Sequence, residues 1–360
     1  MKRDARIRAM RAAVPAAATA ATAAILAAML ASLLAACGAR AEPETRRLSY
    51  FASTCAVTIH DHATDAAFEE VFDRFRELDA ALSMWKPGSE LDRVNAAAGL
   101  GPRPASRELV ELLRRGLELA ALTEGRYDPT VGPLVRLWGV GTGRDRVPAP
   151  GEIRAALGLV GFRDAAADPA AGTVELKRPG MALDFGSLAK GEAAVQAGRL
   201  LSARGVRAAV VDVGGSVLVL GSKPGGKPWR VGVQRPGSAR GEILGFVEVR
   251  DAVVNTSGVY ERWFESGGRK WSHALDARTG WPAESGLVSA TVVRGREASA
   301  DGPSLALLLL GAEEGLALAD RLGLAAILVD GERRVHLSRA ARPLFTLTDP
   351  AYSLVAPQDP

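Results

Sequence analysis

The chain has 360 residues, of which 48% are hydrophobic and 24% are charged, a globular composition that excludes a wholly disordered, collagenous or coiled-coil protein. Its formal net charge is +4, but the first 36 residues carry five basic side chains and one acidic side chain, so 40 basic and 40 acidic residues follow them. A neutral remainder gives no reason to expect a nucleic-acid partner or attraction to an anionic membrane surface.

The first predicted element is an export signal. Residues 1–11 are basic, residues 12–36 are apolar and uncharged, and the segment ends in LAACG, in which the cysteine is Cys37. This pattern is typical of a secretory signal, and the position of the cysteine resembles a bacterial lipobox. We therefore expect a lipoprotein signal peptide over 1–36 and a diacylated Cys37 that anchors the domain to a cell-envelope membrane, facing the periplasm or exterior. The alternative is an uncleaved membrane anchor, because the apolar run can span a bilayer.

The next elements are a tether, a strand and two helices. Residues 37–47 are mostly polar and predict a lipidated tether, and residues 48–59, with alternating and β-branched side chains, predict a strand. Apolar residues at helical spacing predict helices over 65–82 and 106–122. We expect the second helix to be capped by Ser106 and followed by a left-handed glycine at position 125.

From about residue 157 onward, short β-type runs alternate with Gly/Pro turns, and helices are predicted only over 188–204 and 301–322. Strands and helices alternate too irregularly for a doubly wound parallel sheet. We therefore predict an α+β fold with mixed or antiparallel sheets and packed helices. The predicted strands are 173–177, 181–185, 208–213, 216–220, 229–234, 244–249, 287–293 and 325–330.

The chain has two cysteines. If Cys37 carries lipid, Cys55 has no partner, so neither an intrachain disulfide nor a cysteine-based zinc site is expected. We expect Cys55 to be a small buried hydrophobic residue rather than a nucleophile.

Residues 183–191 (LDFGSLAKG) predict a strand end, a tight turn and a helix start. Asp184 ends the strand, Gly186 allows the turn, the helix begins near Ser187, and Lys190 lies on its first turn. Free N–H groups at a helix start can bind an anion such as a phosphate. The alternative is that Ser187 only caps the helix and Lys190 is solvated.

The paired glycines Gly214 and Gly215 lie between two apolar runs. Either they let a ligand approach the backbone closely, or they form an ordinary β-turn or bulge.

His273 is one of four histidines and is a candidate general base, because histidine titrates near neutral pH. Asp276 could orient it, and Arg278 could hold an anion. The alternative is a structural turn built by Asp276, Thr279 and Gly280.

Asp301 and Ser304 are three residues apart and share a helix face. Two such oxygens can bind Mg²⁺, which needs few protein ligands when a phosphate supplies others. The alternative is that Asp301 complements the helix dipole and Pro303 is tolerated in the first turn.

Taken together, seven stretches resemble the ApbE family of flavin transferases (FAD:protein FMN transferases) over about residues 48–345. Each motif is common alone, but seven in one order on a predicted lipoprotein form a specific pattern. The resemblance implies a T-fold-like domain over 48–345 and a C-terminal tail over 346–360. The stretches are 82–95, 127–139, 184–191, 213–215, 256–262, 273–280 and 300–301.

The resemblance implies that FAD is the substrate. Its pyrophosphate would be cleaved, AMP would leave, and FMN would be joined through a phosphoester to a Thr or Ser hydroxyl of an acceptor protein. Mg²⁺ would offset the charge of the pyrophosphate while a base removes the acceptor's proton. The implied acceptor is a subunit of a membrane redox complex.

The resemblance also implies roles by position. Leu275 would line the site, and the flavin ring would contact five residues, which are Ala52, Trp85, Arg126, Tyr127 and Asp128. The metal would lie between the main-chain carbonyl of Ser187 and the side chains of Asp301 and Ser304, and His273 would be the base. The FAD set is Ala52, Trp85, Arg126, Tyr127, Asp128, Asp184, Lys190 and Leu275.

This chain departs from the family pattern at three places. Leu305 stands where the family usually has a threonine four residues after the metal-binding aspartate, so Ser304 is the expected substitute. Ala52 begins an Ala-Ser-Thr sequence where Met-Gly-Thr is usual, and Val259 replaces an aspartate. Two other functions therefore stay open: an FAD-binding lipoprotein without transfer, and a metal-dependent FAD pyrophosphatase.

Overall fold

A nine-stranded β-sheet organises the fold, which a computed structural model describes for residues 42–356. The predicted leader and Cys37 lie outside the described residues. Residues 43–356 belong to one compact unit. Within the described part, no helix combines the length and the apolar composition that a membrane span requires.

The described residues contain eight α-helices and seventeen strands. The helices are α1 (Asp65–Ala81), α2 (Glu90–Ala96), α3 (Arg107–Leu122), α4 (Gly132–Trp138), α5 (Pro150–Leu157), α6 (Ala189–Ala203), α7 (Asp301–Leu310) and α8 (Ala312–Arg321). The strands are β1 (Glu44–Tyr50), β2 (Ser53–Ile59), β3 (Arg103–Pro104), β4 (Ala165–Asp168), β5 (Thr173–Leu176), β6 (Ala208–Val213), β7 (Ser216–Gly221), β8 (Trp229–Gln234), β9 (Ile243–Val249), β10 (Ala252–Gly258), β11 (Trp263–Ser266), β12 (Arg269–Ser272), β13 (Leu287–Gly295), β14 (Ala325–Asp330), β15 (Arg334–Leu337), β16 (Phe345–Leu347) and β17 (Ser353–Leu354).

The large sheet has the strand order β1-β2-β6-β7-β10-β13-β14-β15-β17. Its neighbours are antiparallel except β15 and β17, which are parallel, so the sheet is mixed. Two three-stranded sheets, β16-β9-β8 and β3-β5-β4, and the hairpin β11–β12 complete the strands. The predicted α+β fold with mixed and antiparallel sheets is confirmed.

The two faces of the large sheet bury different cores, because alternate residues of a strand point to opposite faces. On one face, helices α6 and α7 pack against the central strands, and Leu218 joins Phe75 of α1 in the larger core. On the other face, Val219 packs with Trp229 and Val247 of the sheet β16-β9-β8. Helices α6 and α7 therefore lie side by side on one face.

Local sequence rules account for the first two predicted helices. Helix α1 begins after Thr64, whose hydroxyl accepts a hydrogen bond from the Ala67 N–H, and it buries an apolar stripe. Helix α3 begins after Ser106, which caps the N–H of Leu109 as predicted. Beyond its end, Gly125 has a φ of 83°, which confirms the left-handed glycine.

The predicted strand over 48–59 is instead a hairpin. Strands β1 and β2 pair from Glu44 with Ile59 to Tyr50 with Ser53, and the turn residues Phe51 and Ala52 have φ values of 53° and 51°. Because this turn contains no glycine, the sequence gives no sign that the chain reverses there. The predicted tether is also shorter than 37–47, because β1 takes in residues 44–47 by pairing with β2.

Three further predictions need correction. Residues 181–185 form only a single parallel bridge, between Ala182 and Val131, and next to it the Asn95 side chain bonds both the N–H and the carbonyl of Leu183. The helix predicted over 301–322 is broken into α7 and α8 at Gly311, whose φ is 87°. The tail predicted over 346–360 joins the sheets through β16 and β17, since their backbone groups pair with β9 and β15.

Candidate active site

The turn before α6 holds Asp184 and Ser187. The Asp184 carboxylate accepts a hydrogen bond from the Gly186 N–H at 2.7 Å, and the N–H groups of Leu188 and Ala189 both donate to the Phe185 carbonyl at 2.9 Å. Ser187 does not cap the helix, which begins after Leu188 without a side-chain cap. This turn therefore depends on main-chain bonds and on Asp184.

The Ser187 hydroxyl pairs instead with Tyr127. The two hydroxyl oxygens are 3.1 Å apart, and the Tyr127 ring is buried. Burial raises the pKa of Tyr127, so its phenol stays protonated and can donate to Ser187. Tyr127 therefore positions Ser187 rather than offering an exposed face to a flavin ring.

Asp301 joins the starts of α6 and α7. Its Oδ2 accepts the Gly191 N–H at 2.5 Å, so this N–H does not bond the Ser187 carbonyl four residues earlier. A Cβ at position 191 would lie 2.8 Å from the Asp301 carboxyl carbon, which explains the glycine. As a result, no N–H of the described residues donates to the carbonyl oxygen of Ser187.

The other carboxylate oxygen of Asp301 has no partner. Asp301 is 3% exposed, and its Oδ1 makes no hydrogen bond within the described part of the chain. Burial raises the pKa of Asp301, while the Lys190 ammonium, the nearby Ser216 hydroxyl and the Gly191 N–H oppose this rise. The Ser216 hydroxyl itself makes no hydrogen bond of normal geometry within residues 42–356. A buried carboxylate oxygen without a partner is costly, and a cation would remove that cost.

The two available oxygens suit Mg²⁺. Asp301 Oδ1 and the Ser187 carbonyl are hard oxygen donors, and Mg²⁺ commonly uses one or two protein oxygens together with waters and substrate phosphates. Among residues 42–356 no three His, Cys, Asp or Glu side chains cluster as a metal site. The donor set therefore fits an ion that a diphosphate ligand helps to hold.

Ser304 does not join this donor set, contrary to prediction. Its hydroxyl donates to the Asp301 main-chain carbonyl at 2.7 Å, accepts from the Asn255 amide at 2.6 Å, and lies 2.7 Å from the Ser257 hydroxyl. A hydroxyl offers one donor and two acceptor positions, so all of them are used. Ser304 thus fixes the start of α7 against β10. It does not replace the ligand that a threonine at position 305 would give to the cation site.

His273 follows β12 directly. Its main-chain N–H and its Nδ1 each lie 3.1 Å from the carbonyl oxygen of Arg262. Because a carbonyl only accepts, Nδ1 carries the proton and Nε2 keeps its lone pair. Asp276 does not orient the ring, since its carboxylate bonds the Arg278 N–H and its main chain bonds Gly280 and Trp281. The structural-turn interpretation is confirmed for residues 276–280.

The surroundings keep His273 neutral. The His273 side chain is exposed to solvent. Desolvation by the surrounding protein atoms, and then the positive charges of Arg262 and Lys190, nevertheless lower its pKa to about 4. The backbone carbonyl of Arg262 acts in the opposite direction. At neutral pH the imidazole is therefore unprotonated at Nε2.

Lys190 connects His273 and Asp301 electrostatically, because its charge acts on both. Its Nζ donates to the Gly214 carbonyl at 3.3 Å. Gly214 and Gly215 form the two-residue turn between β6 and β7, with φ values of 57° and 96°, and a Cβ at Gly214 would lie 2.6 Å from the Ser53 Cβ. The turn interpretation is confirmed, and the turn also packs closely against the start of β2.

Ala52 and Asp184 lie near one cation, Arg262. The guanidinium of Arg262 lies 3.4 Å from the Ala52 carbonyl oxygen. Burial raises the pKa of Asp184, and the charges of Arg262 and Arg136 oppose this effect. Arg262 lies in the stretch 256–262 but was not among the predicted site residues, because its position beside His273 depends on the hairpin β11–β12.

Three predicted FAD contacts are engaged with other residues, and a fourth, Trp85, is exposed. Arg126 bonds Glu314, and the buried Asp128 carboxylate bonds Thr130 and the Phe162 N–H. Leu275 lies in a cluster with three tryptophans. Trp85 is 49% exposed on the loop between α1 and α2 and can stack on a flat ligand. The cluster around Leu275 includes Trp138, Trp271 and Trp281.

Comparisons with known proteins match this chain over most of its length. The ApbE family profile matches residues 51–328. The FAD:protein FMN transferase of Treponema pallidum is 33% identical over 323 residues, which cover 84% of this chain and 89% of that protein. The FAD:protein FMN transferase of Salmonella typhimurium is 34% identical over 255 residues, covering 70% and 73%.

Solved structures give the same match. The ApbE protein of Thermotoga maritima superposes with a TM-score of 0.77 at 25% identity, covering 84% of this chain and 99% of that chain. The flavinyl transferase ApbE of Pseudomonas stutzeri superposes with a TM-score of 0.74 at 34% identity, covering 84% and 97%. The site residues from Ala52 to Asp301 lie within the family match.

Proposed function

Because the chain belongs to the ApbE family, we propose that it is an FAD:protein FMN transferase, an enzyme that moves the FMN half of FAD to a hydroxyl of an acceptor protein. The observation that carries this proposal is the combination of two groups around Lys190. One is the partnerless Oδ1 of buried Asp301, and the other is a neutral His273 with Nε2 free. The first suits a cation on a diphosphate, and the second suits a hydroxyl nucleophile.

In the proposed reaction, the acceptor oxygen attacks the phosphorus of the FMN half while the bond to AMP breaks. His273 takes the hydroxyl proton at Nε2, and Lys190 lies where its ammonium can meet a phosphate oxygen. Mg²⁺, when held by Asp301 Oδ1 and the Ser187 carbonyl, would supply positive charge that offsets the diphosphate. Trp85 offers an exposed aromatic face for the flavin ring.

An intact-mass assay tests this function. The protein is mixed with FAD, Mg²⁺ and a flavoprotein domain bearing a target threonine, and the acceptor is weighed. An added FMN mass with an equal amount of released AMP is expected. Bound FAD without an adduct would instead favour a flavin-binding lipoprotein, and FMN and AMP released without any acceptor would favour a pyrophosphatase.

Leu305→Thr tests whether the cation site lacks a ligand. Leu305 lies four residues after Asp301 and is half-buried. A threonine hydroxyl there is expected to raise Mg²⁺ affinity about tenfold, measured by titration calorimetry with Mg²⁺ and FAD. The matched control is Leu310→Thr, the same change at another half-buried position of α7. Equal affinity of both variants and the unaltered protein would show that no ligand is missing.

We also propose that the protein is a lipoprotein anchored through Cys37 after removal of residues 1–36, as the LAACG sequence indicates. Its acceptor would then be a subunit of a membrane redox complex. Cys37→Ser is expected to remove the lipid, seen as loss of the diacyl mass and of labelled palmitate, and to release the protein from the membrane fraction. Membrane association that persists in this variant would favour the uncleaved anchor.

A further inference from the structure

Arg262 links the candidate base to the rest of the active site. Its carbonyl oxygen binds both the main-chain N–H and the Nδ1 of His273. Its side chain runs in another direction, since a Cβ at Gly141 would lie 3.5 Å from the Arg262 Cδ and the guanidinium reaches the Ala52 carbonyl oxygen at 3.4 Å. One residue thus holds the base and extends a cation toward the β1–β2 turn.

The guanidinium of Arg262 has unused hydrogen-bonding capacity. It carries five N–H donors, and among residues 42–356 its single acceptor is the long contact to Ala52. No carboxylate of these residues lies within ion-pair distance, and the side chain is exposed. By contrast, Arg269 of the adjoining hairpin pairs with Glu284. A planar guanidinium without an anionic partner matches the oxygens of a phosphate.

We propose that Arg262 is a catalytic residue whose guanidinium binds the phosphate of the FMN half during transfer, while its carbonyl keeps His273 in the tautomer that accepts the acceptor's proton. This inference rests on the proposed transferase function. Charge neutralisation is the main contribution that a protein can make to phosphoryl transfer, and Arg262 supplies it beside the base.

The step balances in atoms and charge. A lone pair of the acceptor hydroxyl oxygen forms a bond to the phosphorus of the FMN half, and the phosphorus–oxygen bond to AMP breaks. The electron pair of that bond leaves on the AMP phosphate. The hydroxyl proton moves to Nε2 of His273, and the Arg262 guanidinium, which has only N–H donors, exchanges no proton in the step.

Replacing the Arg262 side chain separates its two functions, because the carbonyl that holds His273 remains. We expect Arg262→Ala to lower the single-turnover transfer rate at least about 100-fold, with the FAD dissociation constant changed less than about fivefold. Its positive charge lowers the pKa of His273, so its loss should move the acid limb of the pH–rate profile to higher pH. Arg262→Lys should keep the acid limb in place and restore part of the rate.

Lys270→Ala is the matched control, because it removes an exposed cation of the same hairpin that lies over the Trp263 ring. It should transfer at the unaltered rate. An Arg262→Ala rate within about threefold of the unaltered protein, or an unmoved acid limb, would overturn the inference. If the unaltered protein itself forms no adduct, the proposed function fails instead. Thermal melts of both Arg262 variants identify any loss that comes from unfolding.

Discussion

Replacing Asp301 by alanine is expected to lower FMN transfer at least about 1,000-fold and to remove measurable Mg²⁺ binding in the presence of FAD. The substitution deletes Oδ1, the buried carboxylate oxygen without a partner, and the acceptor for the Gly191 N–H. Asp301→Asn separates these effects, because its amide oxygen can still accept from Gly191 while the negative charge is lost. Titration calorimetry and intact-mass assays measure both consequences.

The control for Asp301 is another buried carboxylate on α6. Glu192 is 5% exposed, but both of its oxygens have partners, Arg115 and Gln196. Glu192→Gln is expected to cost about 1–3 kcal/mol of stability and to leave Mg²⁺ affinity unchanged. If Asp301→Asn bound Mg²⁺ as tightly as the unaltered protein and transferred FMN with EDTA present, the metal would have no part in the mechanism.

His273→Ala is expected to slow transfer by about 100- to 10,000-fold, the usual contribution of a general base, without weakening FAD binding more than about threefold. The main-chain N–H that bonds the Arg262 carbonyl remains, so the loop keeps this contact. Single-turnover mass analysis gives the rate, and quenching of flavin fluorescence gives the affinity. The exposed His62 offers a control, since His62→Ala removes an imidazole without touching this site.

The pH dependence of transfer gives a second measurement of His273. Its pKa is lowered to about 4, below the usual value near 6.5, so the neutral base is present throughout the neutral range. We therefore expect no loss of rate from His273 protonation on going from pH 8 to pH 6. An acid limb centred near 6.5 that His273→Ala abolishes would contradict the lowered pKa and the desolvation that causes it.

Sequence periodicity predicted the parts of the fold that local interactions determine. Helices α1 and α3 carry apolar stripes and capping residues of their own, so their bounds agree with prediction within a residue or two. The β1–β2 turn, by contrast, places Phe51 and Ala52 at positive φ without a glycine, and the backbone of Leu183 finds its partner in a side chain 88 positions away. A sequence pattern over neighbouring residues does not predict such distant hydrogen-bond partners.

In the candidate active site, too, features that depend on neighbouring residues were predicted and features that depend on distant residues were not. The stretches around Asp184, His273 and Asp301 were found from the sequence, because each combines a chemically active residue with turn or helix-start residues. The role of Ser304 was mispredicted, since sharing a helix face with Asp301 says nothing about the hydroxyl and amide of β10 that bind it. Arg262 was missed for a similar reason: only the folded chain decides whether a carboxylate pairs with its guanidinium.

Cys55 gives experimenters a built-in reporter of how often the larger core opens. It lies on β2, fully buried, opposite Val213 of β6, and burial raises the pKa of its thiol to about 11. A maleimide reacts with thiolate, so labelling at neutral pH must wait until the core that covers Cys55 opens. Because Cys55 is the sole cysteine within residues 42–356, its labelling rate follows such openings in the native protein, with no introduced probe.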